Sequence, residues 1–330
     1  MKNLLQQHKE QLPWVSSFIV LLLIPLLFMD FNYGMSVVCF ALLYIVAVSG
    51  LDILYGYCGQ ISLGHVGFFA IGSYGSAMLY HFFGIPMFLG MILASGLSAL
   101  VGAIIAYPAS KLVFHFLSLA TIAFGEILRQ FVANSPGRIT GNSLGFFGKK
   151  LTIFGFEFDD YTKYYYFSLV CVFLFLVFKS RLTNSRIGRA FLAIRENPHA
   201  ADGMGVNVVH YKVLAFTTSA FFTGFAGAMY MYLVRYISPE TIVFKQSVMF
   251  LTMLLFGGTA SLLGPICGSV VILLINETIR FAERYQLLIY GILLLMVILI
   301  LPGGVYGETI NLINRIRNRK KDLKPNVKVQ

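Results

Sequence analysis

The sequence predicts an all-α fold, a polytopic transmembrane helical bundle of about ten spans. First, 58% of its 330 residues are hydrophobic, only 12% are charged, and the mean hydropathy is +0.78, whereas a soluble domain carries about 25% charged residues. Second, several apolar runs approach the roughly 20 residues that cross a hydrocarbon core. Third, the basic residues cluster between these runs, as the positive-inside rule expects.

The apolar windows define the predicted spans in order along the chain. The first, 14–31, follows Lys2 and Lys9 and has no small-residue cleavage site after it, so we expect a retained helix rather than a signal peptide. The remaining predicted spans are 35–55, 61–82, 86–106, 112–132, 163–179, 213–233, 246–258, 263–280 and 286–301. The run 246–258 is short, and we expect a broken or re-entrant segment there.

The basic segments orient the bundle. Residues 179–212 and the tail after Arg315 are both strongly basic, so each is predicted to be cytoplasmic, as is the N-terminus. Six predicted spans precede residues 179–212 and four follow them, so an even number of spans separates each of these basic segments from the next. The whole chain, 1–330, is therefore expected to form one membrane domain with a cytoplasmic loop at 180–212 and a basic cytoplasmic tail at 308–330.

The excess of 25 basic over 14 acidic residues gives a net charge of +11. Since the basic residues flank membrane spans, nucleic-acid binding is not expected. The four cysteines lie in or beside apolar runs and none has CxxC spacing, so we expect packing roles and no metal site. Asp52 lies near a predicted helix end and is expected to face water.

Two segments, 56–75 and 257–268, are rich in glycine and polar residues. Irregular backbone at membrane depth must be buried in protein or line a wet cavity. Small residues also let helices approach closely, and Gly264 and Gly268 have GxxxG spacing. Close packing and a pathway role both remain open for these glycines.

Some polar residues within the spans are candidates for lining a substrate pathway. Glu126 and Arg129 are three residues apart and share a helix face. A salt bridge in which Arg129 reaches toward the interface is the simpler explanation, and a substrate contact is the alternative. The candidate pathway residues are Gln60, Ser62, Gly64, His65, Glu126 and Arg129.

The cytoplasmic segment 184–212 predicts two short amphipathic helices at the membrane surface. Asn184 or Ser185 would cap the first helix, which carries an apolar face. Asn197 would cap the second, with Pro198 in its first turn, and Gly203 and Gly205 would end it. The apolar face consists of Ile187, Ala190, Phe191 and Ile194. A basic loop that only sets the topology is the alternative.

Four collinear motifs resemble the branched-chain amino-acid permeases of ABC importers, in particular their LivM-type members. They are Gly59-Gln-Ile-Ser-Leu-Gly-His65 with Gly67-Phe-Phe69 and Gly72, Thr121-Ile-Ala-Phe-Gly-Glu-Ile-Leu-Arg129 with Thr140-Gly141, Gly188-Arg-Ala190 with Ala193-Ile-Arg-Glu-Asn197, Ala200-Ala201, Gly205 and Lys212, and Gly257-Gly-Thr-Ala-Ser-Leu-Leu-Gly-Pro265. The sequence departs from many relatives at Asn142-Ser143, in the predicted outer loop.

The resemblance implies a multi-pass protein of the bacterial inner membrane that imports leucine, isoleucine and valine. It implies a second homologous permease subunit, two ATPase subunits and an extracytoplasmic binding protein as partners. ATP and magnesium would be bound by the ATPases, so this chain would need no cofactor. The helix around Glu196–Gly205 would dock on an ATPase, and the coupling residues would be Arg195, Glu196, Asn197, Ala200, Ala201 and Gly205.

No catalytic residue is expected in this chain. The sequence contains no Gly-x4-Gly-Lys-Ser/Thr phosphate loop, HExxH or GxSxG pattern, so an embedded enzyme is disfavoured. A permease for urea or another small polar solute of the same superfamily is one alternative. An ion-coupled secondary transporter is another, although its inverted repeats are not recognisable here.

Overall fold

The computed structural model describes residues 32–110, 114–153, 155–279, 284–300, 304–305 and 307–309. The predicted first span 14–31 and nearly all of the basic tail lie outside these residues. Every later predicted span coincides with a helix. The helices that coincide with predicted spans are α1 (Asn32–Asp52), α2 (His65–Phe83), α3 (Met87–Ala109), α4 (Phe114–Ala133), α5 (Tyr161–Thr183), α8 (Val208–Val234), α9 (Phe244–Gly257), α10 (Gly264–Thr278) and α11 (Gln286–Ile300).

Six stretches in the described ranges are long and apolar enough to cross a membrane. They are Tyr33–Tyr57, Met87–Ala109, Phe116–Ala133, Tyr161–Thr183, Val208–Val234 and Pro239–Gly257. α2 is not among them because it carries histidine, glycine and serine, and α10 and α11 have only 15 residues each. The multi-pass helical bundle is thus confirmed, while the count of about ten spans stays a prediction.

α8 is the central helix of the bundle and packs against α1, α2 and α3. Its contact with α2 is backbone to backbone, since a Cβ on Gly72 would lie 1.8 Å from the Gly224 carbonyl oxygen. Ser73 Oγ donates to the Gly227 carbonyl at 2.7 Å. Lipid supplies no hydrophobic drive for helices to associate, so small residues and interhelical hydrogen bonds of this kind hold the core together.

α9 and α10 form a closely packed hairpin. A Cβ on Gly257 would lie 1.9 Å from the Gly264 carbonyl oxygen, and one on Gly268 would lie 1.8 Å from that of Met253. The GxxxG pair therefore serves close packing, one of the two roles left open by the sequence. In the loop 258–263 between the helices, Ser261 Oγ accepts from Gly264 N at 2.9 Å.

The loop between α4 and α5 contains short strands that an all-α prediction did not include. β1 (Phe146–Phe147) pairs antiparallel with β4 (Tyr236–Ile237) after α8, and β2 (Thr152–Ile153) pairs with β3 (Phe156–Glu157). Each strand has two residues. A strand this short carries no alternating pattern that sequence analysis could detect.

Candidate functional site

Two short helices, α6 (Arg186–Glu196) and α7 (Pro198–Gly203), follow α5. Ser185 Oγ accepts from Ile187 N at 3.1 Å and caps α6. Asn197 Oδ1 caps α7 by accepting from His199 N and Ala200 N at 3.0 and 3.1 Å. The predicted pair of capped helices is confirmed, and Ser185 rather than Asn184 is the first cap.

The α6–α7 pair lies on the bundle through its apolar face. α6 buries Phe191 and Ile194, and α7 buries Ala201. The exit from α7 is a tight turn in which Gly205 has a φ of +83° and Val206 N donates to the Ala201 carbonyl at 3.0 Å. That left-handed conformation suits glycine, as the sequence predicted for Gly205.

Among the predicted coupling residues, Arg195 differs from the rest. Its Nη1 donates to the Gly56 carbonyl at 2.5 Å, and its Cγ would lie 3.1 Å from a Cβ on Gly59. Arg195 therefore anchors α6 to the turn after α1. Ala201 is buried, whereas the other coupling residues are exposed, namely Glu196, Asn197, Ala200 and Gly205.

The expectation that Asp52 faces water is wrong. Its carboxylate is fully buried and lies 2.7 Å from the ammonium of Lys179, which is also fully buried. Lys179, near the C-terminal end of α5, is thus not part of the solvated basic loop to which the sequence assigned it. A buried charge requires a partner and hydrogen bonds, and α5 brings the partner to the end of α1.

The same ion pair holds the loop 258–263. Asp52 Oδ1 accepts from Ala260 N at 2.7 Å, and Lys179 Nζ donates to the Ser261 carbonyl at 2.9 Å. Ala260 has a φ of +52°. The pair therefore joins α1, α5 and the α9–α10 hairpin at one point.

A π-helical turn, Ile53–Tyr57, connects this ion pair to α6. The Gly56 carbonyl in this turn accepts a hydrogen bond from Arg195 Nη1. Gly56 also lies against the Asp52 carboxylate, because a Cβ on Gly56 would be only 2.0 Å from Asp52 Oδ1. Arg195, Gly56 and Asp52 thus form consecutive contacts from α6 to the loop 258–263.

Sequence reasoning missed this buried pair. One signal was present, because an ionisable residue inside an apolar span usually faces the bundle interior and has a partner. That rule would have identified Asp52 as buried. It could not identify Lys179, since only the packing of α5 against α1 brings the two together.

The candidate pathway residues are divided among separate places. His65 Nδ1 lies 2.9 Å from Ser62 Oγ and His65 Nε2 lies 2.7 Å from Ser219 Oγ, with all three side chains buried. A Cβ on Gly64 would lie 1.9 Å from the Thr121 carbonyl oxygen. This cluster packs α2 against α4 and α8.

Glu126 and Arg129 lie on the outer face of α4. Arg129 Nη2 is 2.6 Å from Glu126 Oε1, and Gln130 Nε2 donates to the same oxygen at 3.0 Å. Their side chains are 53% and 32% exposed. The predicted salt bridge is confirmed, and it faces away from the rest of the described bundle.

Gln60, the remaining pathway candidate, lines a cavity of about 690 Å³ beneath the α6–α7 pair. The cavity lies between the 58–60 turn, the end of α3, α4, the α6–α7 pair and the first turns of α8. It brings Gln60 together with the coupling residue Arg195. Among the described residues, no group of three or more His, Cys, Asp or Glu side chains is placed to hold a metal ion.

Comparison with known proteins places most of the chain in one family. Residues 33–298 match the family described as the branched-chain amino acid transport system permease component. The high-affinity branched-chain amino acid transport system permease protein LivM of Salmonella typhimurium is 31% identical over 306 residues, which cover 86% of this chain and 72% of the relative.

Two further relatives extend the comparison. LivM of Escherichia coli is 29% identical over the same shares of both chains. A probable branched-chain amino acid transport permease protein LivH of Methanocaldococcus jannaschii is 25% identical over 269 residues, covering 72% of this chain and 80% of the relative. No solved structure matches the chain.

Proposed function

The chain belongs to the branched-chain amino acid transport system permease family, and from this membership we propose that it is the membrane-spanning permease subunit of an ATP-driven importer of leucine, isoleucine and valine. Its solute would be delivered by an extracytoplasmic binding protein. Separate ATPase subunits, binding ATP and magnesium, would drive the cycle. The protein would reside in a bacterial inner membrane with both termini in the cytoplasm.

The observation that carries this proposal is the α6–α7 pair. Two capped helices lie in the basic segment that the positive-inside rule assigns to the cytoplasm. Their inner face is buried on the bundle, while Glu196, His199 and Ala200 are exposed on the outer side. A short, stiff, exposed helical element of this kind is suited to insertion into a cleft on an ATPase.

The link from α6 into the bundle supports a role in coupling. Arg195 donates a hydrogen bond to the Gly56 carbonyl, and Gly56 packs directly against the carboxylate of Asp52. Polar contacts in a low-dielectric interior are hard to break, because each broken contact leaves a costly unpaired group. A movement imposed on α6–α7 would therefore reach the loop 258–263 rather than dissipate at the surface.

The outer face of α4 supports the presence of a second permease subunit. Glu126 lies within a span and its charged side chain points away from the described bundle. Charged groups at membrane depth face a protein partner or a water-filled path rather than lipid. The relatives include proteins named LivM and LivH, which fits a pair of homologous permeases. We assign the α4 face to that interface and to the solute pathway.

Transport in reconstituted vesicles tests the proposal. The vesicles would contain this chain with a homologous second permease, ATPase subunits and a binding protein from the same source, and uptake of labelled leucine and urea would be measured with and without ATP. We expect uptake of leucine only, and only with ATP. ATP-dependent uptake of urea alone would reassign the solute, and leucine uptake driven by an ion gradient without ATP would overturn the proposal.

A further inference from the structure

The cavity beneath the α6–α7 pair combines an apolar floor with charges of both signs. Cys58, Leu117 and Ile194 lie on its walls and are almost completely buried. Lys212 and Asp202 also line it and carry opposite charges. Its volume of about 690 Å³ lies within the range of about 300–1,000 Å³ typical of small-molecule sites.

The Gln60 side chain is placed to bond a ligand in this cavity. The residue is 5% exposed and lines the cavity. Within the described residues its backbone N–H donates to the Leu54 carbonyl, but its side-chain amide has no hydrogen-bond partner. Its amide oxygen and nitrogen are not among the buried unpaired polar atoms of the described residues, so they reach the space of the cavity, where a polar ligand can bond them.

The two cations of the cavity are held differently. Arg195 is committed to the Gly56 carbonyl at 2.5 Å. Lys212 Nζ makes one long contact, 3.4 Å, to the Ser110 carbonyl at the end of α3. Lys212 is therefore the cation that is available to an incoming carboxylate, while Asp202 on α7 is available to an ammonium group.

We infer that this cavity binds a zwitterionic amino acid with an apolar side chain from the cytoplasmic side. The carboxylate of the amino acid would pair with Lys212, and its ammonium group would pair with Asp202. Its side chain would occupy the apolar floor of the cavity, and the Gln60 amide would bond the polar end of the amino acid. This inference rests on the proposed function, because that function makes such a solute the product released on this side of the membrane.

Occupation of the cavity has a mechanical consequence. A bound solute would contact α6 and α7 on one side and the 58–60 turn on the other. It would brace the α6–α7 pair in its present position against movement by an ATPase. A ligand that binds one position better than another shifts the equilibrium toward it. The accumulated product would therefore slow further import.

The first experiment measures inhibition by product. Proteoliposomes holding the complete transporter, with ATP and the ATPases inside, are preloaded with unlabelled leucine, and the initial rate of labelled leucine uptake is measured. We expect the rate to fall as lumenal leucine rises. In Lys212→Gln or Asp202→Asn, half-inhibition should require about tenfold more lumenal leucine, since a charged hydrogen bond is lost. Lys163→Gln, an exposed lysine remote from the cavity, is the control.

The second experiment measures occupancy directly. Burial raises the pKa of the Cys58 thiol to about 12, so this cysteine would react slowly with an alkylating reagent. The reporter of occupancy is therefore a new cysteine on the cavity wall, Ser110→Cys, in a Cys58→Ala background. Leucine should slow alkylation of that cysteine in the complex in nanodiscs. Isoamylamine, which lacks the carboxylate, and 4-methylpentanoate, which lacks the ammonium group, should protect much less.

The outcomes separate the inference from the proposed function. ATP-driven leucine import that is indifferent to lumenal leucine, with no protection of the reporter, would overturn the inference and leave the function standing. Protection by 4-methylpentanoate or by anionic lipid as strong as that by leucine would overturn the zwitterion site. If wild-type vesicles import no leucine although leucine protects the reporter, the proposed function fails and the site stands.

Discussion

The carboxylate of Asp52 and the ammonium of Lys179 lie 2.7 Å apart, and neither side chain is exposed. The two residues belong to α1 and α5, and both also bond the backbone of the loop 258–263. Burial of two charges is favourable only when geometry and additional hydrogen bonds compensate for lost hydration. The pair therefore fixes the positions of α1, α5 and the loop 258–263 relative to one another.

Removal of one charge of this pair should destabilise the protein strongly. Lys179→Met leaves the Asp52 carboxylate buried without a cation, and breaking a buried pair typically costs about 3–5 kcal/mol. We expect a marked drop in the thermal unfolding temperature of the purified chain. The double variant Asp52→Leu with Lys179→Met should recover much of it, because no uncompensated charge remains. Equal stability of Lys179→Met and wild type would contradict the assignment.

Arg195→Ala should separate ATP hydrolysis from transport. The variant loses the bond to the Gly56 carbonyl, so α6 would move without displacing the turn after α1. We expect the ATPase rate of the reconstituted complex to persist while leucine uptake falls about tenfold or more, because a hydrogen bond from a charged group contributes about 1.5–3 kcal/mol. The control is Arg186→Ala, an exposed arginine at the start of the same helix. A parallel loss of hydrolysis and uptake would indicate lost assembly instead.

Gly205→Val should also lower the number of leucine molecules imported per ATP. At a φ of +83° a β-branched residue is strained by roughly 1–2 kcal/mol or more, so the exit of α7 would rearrange. Gly203→Ala is the matched control, because a Cβ there meets nothing within 4 Å and the residue has no positive φ. If both variants transport normally, the turn has no role in coupling.

Glu126→Gln should impair transport without affecting folding. The carboxylate is exposed and its pair with Arg129 lies on one helix face, so it contributes at most about 1 kcal/mol to stability. If the α4 face lines the solute pathway, we expect reduced uptake together with an unchanged unfolding temperature. Glu157→Gln in the loop between α4 and α5 is the control. Wild-type uptake by Glu126→Gln would remove α4 from the pathway.

Gly268→Leu should prevent the α9–α10 hairpin from closing. A Cβ at this position would lie 1.8 Å from the Met253 carbonyl oxygen, which is backbone and cannot move aside easily. We expect a large loss of folded protein in detergent, measured by size-exclusion chromatography. Gly96→Ala in α3, where a Cβ meets nothing within 4 Å, should behave as wild type.

The amino-acid sequence alone predicted the local features of this protein. Apolar runs located the helices from α1 onward, because a bilayer rewards continuous apolar segments of a particular length. The caps at Ser185 and Asn197 were predictable because capping depends on residues two or three positions away. The turn at Gly205 was predictable for the same reason. The membrane class, the family and the α6–α7 pair thus follow from the sequence alone.

The tertiary structure alone decided which distant groups meet. Asp52 is buried only because α5 brings Lys179 to it, and His65 bonds Ser219 only because α8 packs against α2. The cavity that contains Gln60 exists only where the α6–α7 pair lies over the ends of α3 and α4. Spacing along the chain records bonds between near neighbours, whereas these contacts depend on how separate helices pack, and no single segment carries that information.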